Sequence, residues 1–124
     1  MSSIHLAATP KTPEVQFSID PMEMSISGRS IPENSIEFYR PLMEWVDSHI
    51  AASEASVDFS IRLEYFNTSS SKCLMDLLKR IEKSPISSTI LWYYEEEDED
   101  MLEAGEDYSA IIDIPFKLIA VAGP

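Results

Sequence analysis

Glycine, cysteine and histidine are scarce in this 124-residue chain, which contains three, one and two of them, respectively. With so few glycines, the sequence has no glycine-rich phosphate loop and no G-x-S-x-G motif. The lone Cys73 excludes an internal disulfide, and His5 and His49 each lack a second histidine, a cysteine pair or a carboxylate at ligand spacing. We therefore expect no metal site and no cofactor.

Long apolar runs and basic residues are also lacking. No run approaches the ~18 apolar residues of a membrane-spanning helix, and the N-terminal stretch has neither the basic region nor the apolar core of a signal peptide. Nine Lys and Arg against 22 Asp and Glu give a net charge of −13, which opposes binding to phosphate backbones. We expect a cytoplasmic protein that neither binds nucleic acid nor inserts into the membrane.

The charges that are present are distributed unevenly. Nine carboxylates fall between Glu95 and Asp107, whereas four of the nine basic residues fall between Lys72 and Lys83. The acidic run lacks the D-x-D-x-D-G spacing of a calcium loop, so it predicts a solvated face or a docking surface for a partner. We call its first part the acidic segment, which consists of Glu95, Glu96, Glu97, Asp98, Glu99 and Asp100.

Alternation of apolar with polar residues predicts several half-buried strands. Residues 15–19 and 22–26 alternate on either side of Asp20-Pro21 and predict an antiparallel hairpin. Further strands are predicted at residues 57–65, 86–94 and 115–121, and Ile4 and Leu6 predict a short edge strand.

Apolar residues at every third or fourth position predict helices between the later strands. The first covers residues 36–50 after a cap at Asn34 or Ser35. Pro41 falls inside this pattern and predicts either one kinked helix or a short turn followed by a longer helix.

A second helix is expected from Ser71 onward, with Cys73 on its apolar stripe as a buried thiol rather than a reactive one. A third is expected around residues 101–112, where Gly105 weakens it. These elements predict an α/β (α+β) fold: one small domain over residues 1–124, with a mixed β-sheet, an N-terminal antiparallel hairpin and helices packed on the sheet.

Four consecutive hydroxyl side chains, Thr68 to Ser71, follow directly after a predicted strand and open the second helix. One hydroxyl suffices to cap a helix, so the simplest interpretation is a cap with surplus polar residues. A hydroxyl in such a turn is also accessible to a kinase and lies beside free backbone N–H groups. The run therefore leaves open a cap or a phosphorylation switch.

Ser69 and Lys72 also form an S-x-x-K pattern, which occurs in serine acylases. The companion S-D-N and K-T-G motifs of those enzymes are absent, so a small serine hydrolase using Ser69 and Lys72 remains only an alternative. A second alternative is a constitutive acidic scaffold, in which the hydroxyls only cap the helix.

The chain resembles the SiaC-type bacterial regulatory phosphoproteins, whose layout is similar to that of STAS domains. The stretches that carry the resemblance are residues 12–15, 28–30, 32–34, 64–72, 92–96, 98–101 and 103–108. They include the whole hydroxyl run and most of the acidic segment.

This resemblance implies a protein that is not an enzyme, with Thr68 as the phosphorylation site. It further implies three partners: a cognate Ser/Thr protein kinase, a PP2C-type phosphatase, and a diguanylate cyclase that the unphosphorylated form binds and activates. The output would be cyclic-di-GMP synthesis, and through it biofilm and aggregate formation. We expect the residues that surround the site and take part in partner recognition to be Asn67, Ser69, Ser70, Ser71 and Lys72.

Overall fold

The computed structural model describes residues 3–19, 22–50 and 56–122, so the predicted hairpin turn at Asp20-Pro21 lies outside the described residues. The strands are β1 (Ile4–Leu6), β2 (Glu14–Ile19), β3 (Met22–Ser30), β4 (Ser56–Phe66), β5 (Ser87–Glu95) and β6 (Phe116–Val121). The α-helices are α1 (Ser35–Trp45), α2 (Thr68–Glu82) and α3 (Glu99–Ile111), and a π-helical turn (Val46–Ile50) extends α1. None of these helices is long and apolar enough to cross a membrane.

The six strands form one sheet in the order β1-β2-β3-β4-β5-β6. The first three pair antiparallel, with Phe17 opposite Met24 in the hairpin. From β3 to β6 the pairing is parallel, and a helix makes each crossover. The predicted mixed sheet with an N-terminal antiparallel hairpin is therefore confirmed.

One face of the sheet is covered by the helices. Along β4, Val57, Phe59, Ile61 and Leu63 are buried, and they belong to the same core cluster as the buried residues of the helices. Residues 58, 62 and 64 alternate with them and are exposed on the opposite face. The result is a two-layer domain whose helices carry the site described below.

The first helix continues through Pro41, as the single-helix alternative predicted. Its cap is Asn34, whose Oδ1 accepts a hydrogen bond from the backbone N–H of Glu37 at 3.1 Å. Five residues of π-helix follow, from Val46 to Ile50. The sequence pattern had predicted the length of this segment, but not its wider last turn.

Gly105 lies where α3 packs against Trp92 and Leu118 of the sheet. A Cβ atom at this position would be 2.6 Å from Cδ1 of Trp92 and 2.8 Å from Cδ2 of Leu118, distances that side chains do not tolerate. Trp92 is fully buried, and its indole N–H donates to the carbonyl oxygen of Met101 at 3.0 Å. Gly105 therefore allows the helix to pack on the sheet, whatever it costs in helix propensity.

Candidate functional site

The predicted phosphorylation site lies at the junction between β4 and α2. Only Asn67 separates the two elements, and its extended backbone (φ −84°, ψ 173°) turns the chain into the helix. The side-chain Oδ1 of Asn67 accepts a hydrogen bond from the backbone N–H of Ser70 at 2.9 Å, and the backbone N–H of Asn67 donates to the carbonyl oxygen of Ser30 at 3.1 Å. Asn67 is thus the cap, and the interpretation of the four hydroxyls as the cap is wrong. The helix begins at Thr68, three residues before the predicted start.

The four hydroxyl residues point in different directions because successive helical residues are rotated by about 100°. Thr68 and Ser69 are exposed, Ser70 is fully buried and Ser71 is half-buried. Helix geometry leaves the N–H groups of Thr68 and Ser69 without an intrahelical acceptor. A phosphate on Thr68 would therefore lie next to backbone N–H groups that have no intrahelical acceptor, and next to the positive end of the helix dipole.

Below Thr68, a buried network of hydroxyl groups fixes the first turn of α2. Ser30 Oγ donates to Ser70 Oγ at 2.9 Å and lies 2.7 Å from the hydroxyl of Tyr39, while Ser35 Oγ lies 3.3 Å from Ser70 Oγ. Because the single hydroxyl hydrogen of Ser30 is donated to Ser70, the Tyr39 hydroxyl must be the donor in its hydrogen bond with Ser30. Burial raises the pKa of Tyr39 to about 12, so this hydroxyl stays protonated at neutral pH.

Ser71 connects the same turn to α3. Its Oγ lies 2.8 Å from the hydroxyl of Tyr108, which donates to the Ser71 carbonyl oxygen at 2.9 Å. Tyr108 is packed edge-on against Trp92, with ring centroids 5.4 Å apart, and burial raises its pKa. The sequence analysis had placed Ser70 and Ser71 among the residues that surround the site and recognise partners, whereas the side chains of both are bonded inside the fold and anchor the helix that carries Thr68.

The acidic segment and Thr68 lie at the same end of the sheet, where the parallel strands β4 and β5 terminate. The acidic segment spans the end of β5, a turn at Glu96 and Glu97, and the start of α3, while Thr68 follows the end of the neighbouring strand β4. Asp98 caps α3 by accepting the N–H of Met101 at 3.0 Å. No other described residue forms an ion pair with this segment.

An open groove of about 530 Å³ lies between α1 and α2. Its lining residues are Ile36, Arg40, Met43, Glu44, Lys72, Cys73, Asp76 and Arg80. The Ser35–Ser70 contact shows that the two helices start side by side, so the groove runs along both from the end that carries Thr68. Cys73 is buried in its floor, as expected, and burial and the neighbouring Asp76 raise the thiol pKa.

The arrangement does not support the hydrolase alternative. Ser69 and Lys72 are both exposed, and no hydrogen bond joins the Ser69 hydroxyl to a base in the part of the chain that the structure describes. A serine nucleophile needs a base within hydrogen-bond reach. Across residues 3–19, 22–50 and 56–122, no three or more His, Cys, Asp or Glu side chains form a group that could hold a metal ion.

Comparison with known proteins gives consistent results in sequence and in structure. A model of the SiaC family of regulatory phosphoproteins matches residues 6–121. An uncharacterized protein of Pseudomonas aeruginosa (strain UCBPP-PA14) is 32% identical to this chain over 125 residues, which cover 97% of this chain and 98% of that protein.

Two solved structures from P. aeruginosa share the fold. One is a chain from the crystal structure of the diguanylate cyclase SiaD in complex with its activator SiaC, with a TM-score of 0.86 and 30% identity over 95% of this chain and 99% of that one. The other is apo-SiaC, with a TM-score of 0.85 and 30% identity over 97% and 100% of the two chains. The predicted fold is thereby confirmed.

Proposed function

The chain belongs to the SiaC family of regulatory phosphoproteins, and we propose that it is a switch in which reversible phosphorylation of Thr68 controls binding and activation of a diguanylate cyclase. It is a regulatory protein rather than an enzyme. In this proposal the unphosphorylated form binds and activates the cyclase, and the phosphorylated form does not. The output is cyclic-di-GMP synthesis and, through it, biofilm and aggregate formation.

The observation that carries the proposal is the position of Thr68, exposed at the first residue of α2 and above a turn that is locked by Ser70. A phosphate adds about −1.5 to −2 charges, and salt screens them beyond ~8 Å. In a molecule whose net charge is already −13, such an addition acts on the immediate surface and not on the whole protein. Phosphorylation at this place can therefore change partner binding while the fold is unchanged.

Two further partners follow from the proposal. A cognate Ser/Thr protein kinase adds the phosphate and a PP2C-type phosphatase removes it, both acting in the cytoplasm on the exposed turn at Asn67 and Thr68. Neither step requires a cofactor held by this chain. The acidic segment is mostly exposed and lies at the same C-terminal end of the strands as Thr68. It offers either enzyme a docking surface for basic residues.

The first experiment compares Thr68→Glu with Ser69→Glu, since both residues are exposed in the same turn. We expect Thr68→Glu to lose cyclase binding and activation by at least 30-fold with an unchanged urea midpoint, and Ser69→Glu to retain most of both. The measurements are calorimetry with the cyclase and the rate of cyclic-di-GMP formation. Tight cyclase binding by Thr68→Glu would contradict the proposal.

A second experiment separates the switch from a constitutive acidic scaffold. The protein is purified from its native host with and without phosphatase treatment, and bound proteins and intact mass are read by mass spectrometry. A switch gives a phosphorylated fraction modified at Thr68 and a partner set that changes on treatment. A scaffold gives the same partners in both samples and no phosphate.

A further inference from the structure

We propose that two copies of this chain form a symmetric dimer by antiparallel pairing of their β6 strands, so that the two sheets join into one continuous sheet. The surface involved is the free edge of β6, and the partner is a second copy of the same chain. This inference goes beyond the proposed function and does not depend on it.

β6 is bonded to the sheet along only one of its two sides. It pairs with β5 and with no other described strand, so it forms an edge of the sheet. The carbonyl oxygens of Pro115 and Val121 accept hydrogen bonds from the backbone N–H groups of Ile90 and Glu96, at 2.8 and 3.0 Å. Because the backbone groups of successive strand residues point to opposite sides, every second residue from 115 to 121 faces β5.

The other residues of β6 turn their backbone groups away from the sheet. These are Phe116, Leu118 and Ala120, whose N–H and C=O groups have no backbone partner among the described residues. The side chains of Phe116 and Leu118 pack against the core, and Ala120 is exposed. A row of unpaired donors and acceptors that is held in place in this way is a template for one more strand.

The two edges of the sheet differ in how well they resist such pairing. β1, at the other edge, has only three residues, and a short edge strand offers few groups to a partner. β6 has six residues, contains no proline and carries one charge, on Lys117. The edge of β6 is therefore the one that can accept a strand of ordinary length.

The side chains of β6 fit an antiparallel copy in one register. When Leu118 lies opposite Leu118 of the second copy, Phe116 faces Ala120, and about six backbone hydrogen bonds form around the two-fold axis. The large phenylalanine then meets the small alanine on one face of the sheet, and Lys117 faces Ile119 on the other. A shift of two residues in one direction would oppose Lys117 to its own copy, and a shift in the other direction would leave Phe116 without a partner within β6.

Antiparallel pairing also keeps the negative charges of the two copies apart. Each copy has a net charge of −13, and nine of its carboxylates fall between Glu95 and Asp107, which begin at the end of β5. Val121 lies opposite Glu95, so the last residue of β6 marks this acidic end. In an antiparallel dimer the two acidic ends point in opposite directions and are at least the length of β6 apart, about 17 Å, whereas salt screens charges beyond ~8 Å. A parallel arrangement would place them side by side.

The dimer leaves Thr68 accessible. Thr68 follows β4, two strands away from β6, and it lies at an end of the strands rather than at the edge of the sheet. Dimerisation and modification of Thr68 can therefore occur independently of each other. Thr68→Glu should dimerise as the unmodified chain does.

The first test is sedimentation velocity of the purified chain between about 1 and 500 µM, since an interface built on one pair of strands is small and weak. We expect a dimer to replace the monomer as the concentration rises, with a dissociation constant on the order of 10–100 µM. A chain that stays monomeric throughout this range would overturn the proposal.

Ala120→Pro and Ala120→Ser test which edge is used. Proline removes a backbone N–H that points into the interface, and edge strands tolerate proline where this N–H faces solvent. Serine has a similar size and keeps the N–H. We expect Ala120→Pro to weaken dimerisation at least tenfold and Ala120→Ser less than twofold, with circular dichroism of the dilute proteins showing that both fold. Equal dimerisation by two folded variants would overturn the use of the β6 edge.

Ile119→Glu and Ile119→Lys test the register and leave the backbone unchanged. Both remove the same apolar side chain, but the new carboxylate attracts Lys117 of the second copy and the new ammonium group repels it, twice in the symmetric dimer. We therefore expect Ile119→Glu to dimerise about fivefold more tightly than Ile119→Lys in low salt. Net charge alone favours the reverse order, since the first variant is one charge more negative than the wild type and the second is one charge less negative. The reverse order, or equal affinities, would overturn the antiparallel pairing.

This proposal and the proposed function fail in different ways. Sedimentation of the isolated chain tests the dimer without the cyclase, and cyclase binding by Thr68→Glu tests the switch whatever the oligomeric state. If the chain dimerises as expected and Thr68→Glu still activates the cyclase, the switch is wrong and the dimer stands. If the chain is monomeric at every concentration and Thr68→Glu loses cyclase binding, the dimer is wrong and the switch stands.

Discussion

The hydroxyl group of Ser30 donates a hydrogen bond to Ser70 Oγ at 2.9 Å, which joins the end of β3 to the first turn of α2 across 40 positions of sequence. Both side chains are fully buried. Burying a hydroxyl group without a hydrogen bond costs free energy, so this contact fixes the position of the turn that carries Thr68 on the sheet.

Ser70→Ala should destabilise the protein, whereas Ser69→Ala should not. The first substitution removes the acceptor of the Ser30 hydroxyl hydrogen, which leaves Ser30 only its contact with Tyr39, and it also removes the contact of Ser35. It should lower the free energy of unfolding by about 1–3 kcal/mol. Ser69 is exposed, and its removal should change stability by less than about 0.5 kcal/mol. Urea denaturation measures both, and equal effects would show that the network does not hold the turn.

Asn67→Ala should cost about 1 kcal/mol of stability through loss of the helix cap. Asn67→Asp keeps an oxygen that can accept the N–H of Ser70, so it should retain most of the wild-type stability. Thermal unfolding of the two variants tests the assignment. If the aspartate variant is as unstable as the alanine variant, the side-chain acceptor is not the stabilising element.

Gly105→Ala should be destabilising, although helix propensity alone predicts a gain of about 1 kcal/mol. The new Cβ would meet the Trp92 ring, which is held by its own hydrogen bond to Met101, so we expect a net loss of about 1–3 kcal/mol. Near-UV circular dichroism should report the displaced indole. Ser109→Ala, exposed on the same helix, serves as the control and should be neutral or slightly stabilising.

Stability should fall at alkaline pH because of Tyr39. Burial raises its pKa to about 12 in the folded protein, against about 10 when unfolded. Above pH 10 the unfolded chain therefore binds fewer protons than the folded one, and the contribution that is intact below pH 10 is lost progressively up to pH 12. Urea unfolding at pH 8, 10 and 11 should show this decline, and Tyr39→Phe should reduce it. Tyr108, whose pKa burial also raises, acts in the same direction.

Much of the fold could be predicted from local patterns, because one face of each central strand is buried. Apolar and polar residues alternate around Phe59 and Ile61 because only one face of β4 is covered. The apolar stripe of α2 is predictable in the same way, because only one side of that helix packs on the sheet. The wider turn after Trp45 and the close packing at Gly105 could not be predicted, since both depend on contacts between elements distant in sequence.

The strand-to-helix junction that carries Thr68 was predicted from the sequence, but its hydrogen bonds were not. The hydroxyl run marked the correct junction, yet four similar side chains give no sign of which is buried. Ser70 is buried because Ser30, Ser35 and Tyr39 surround it, and they come from elements some 30 to 40 positions earlier in the chain. Asn67 as the cap could have been found, because asparagine ranks among the best N-cap residues and stands directly before the run.

The order of the sheet repeats the order of the chain, from β1 at one edge to β6 at the other. No strand has to be inserted between two that are already paired, so the sheet can grow from one side as the polypeptide leaves the ribosome. The turn that bears Thr68 acquires its buried supports from β3 and α1, which are synthesised first, whereas Tyr108 arrives later. All the side chains of the network beneath Thr68 are therefore present once α2 has been synthesised, whereas the bond to α3 has to wait for Tyr108.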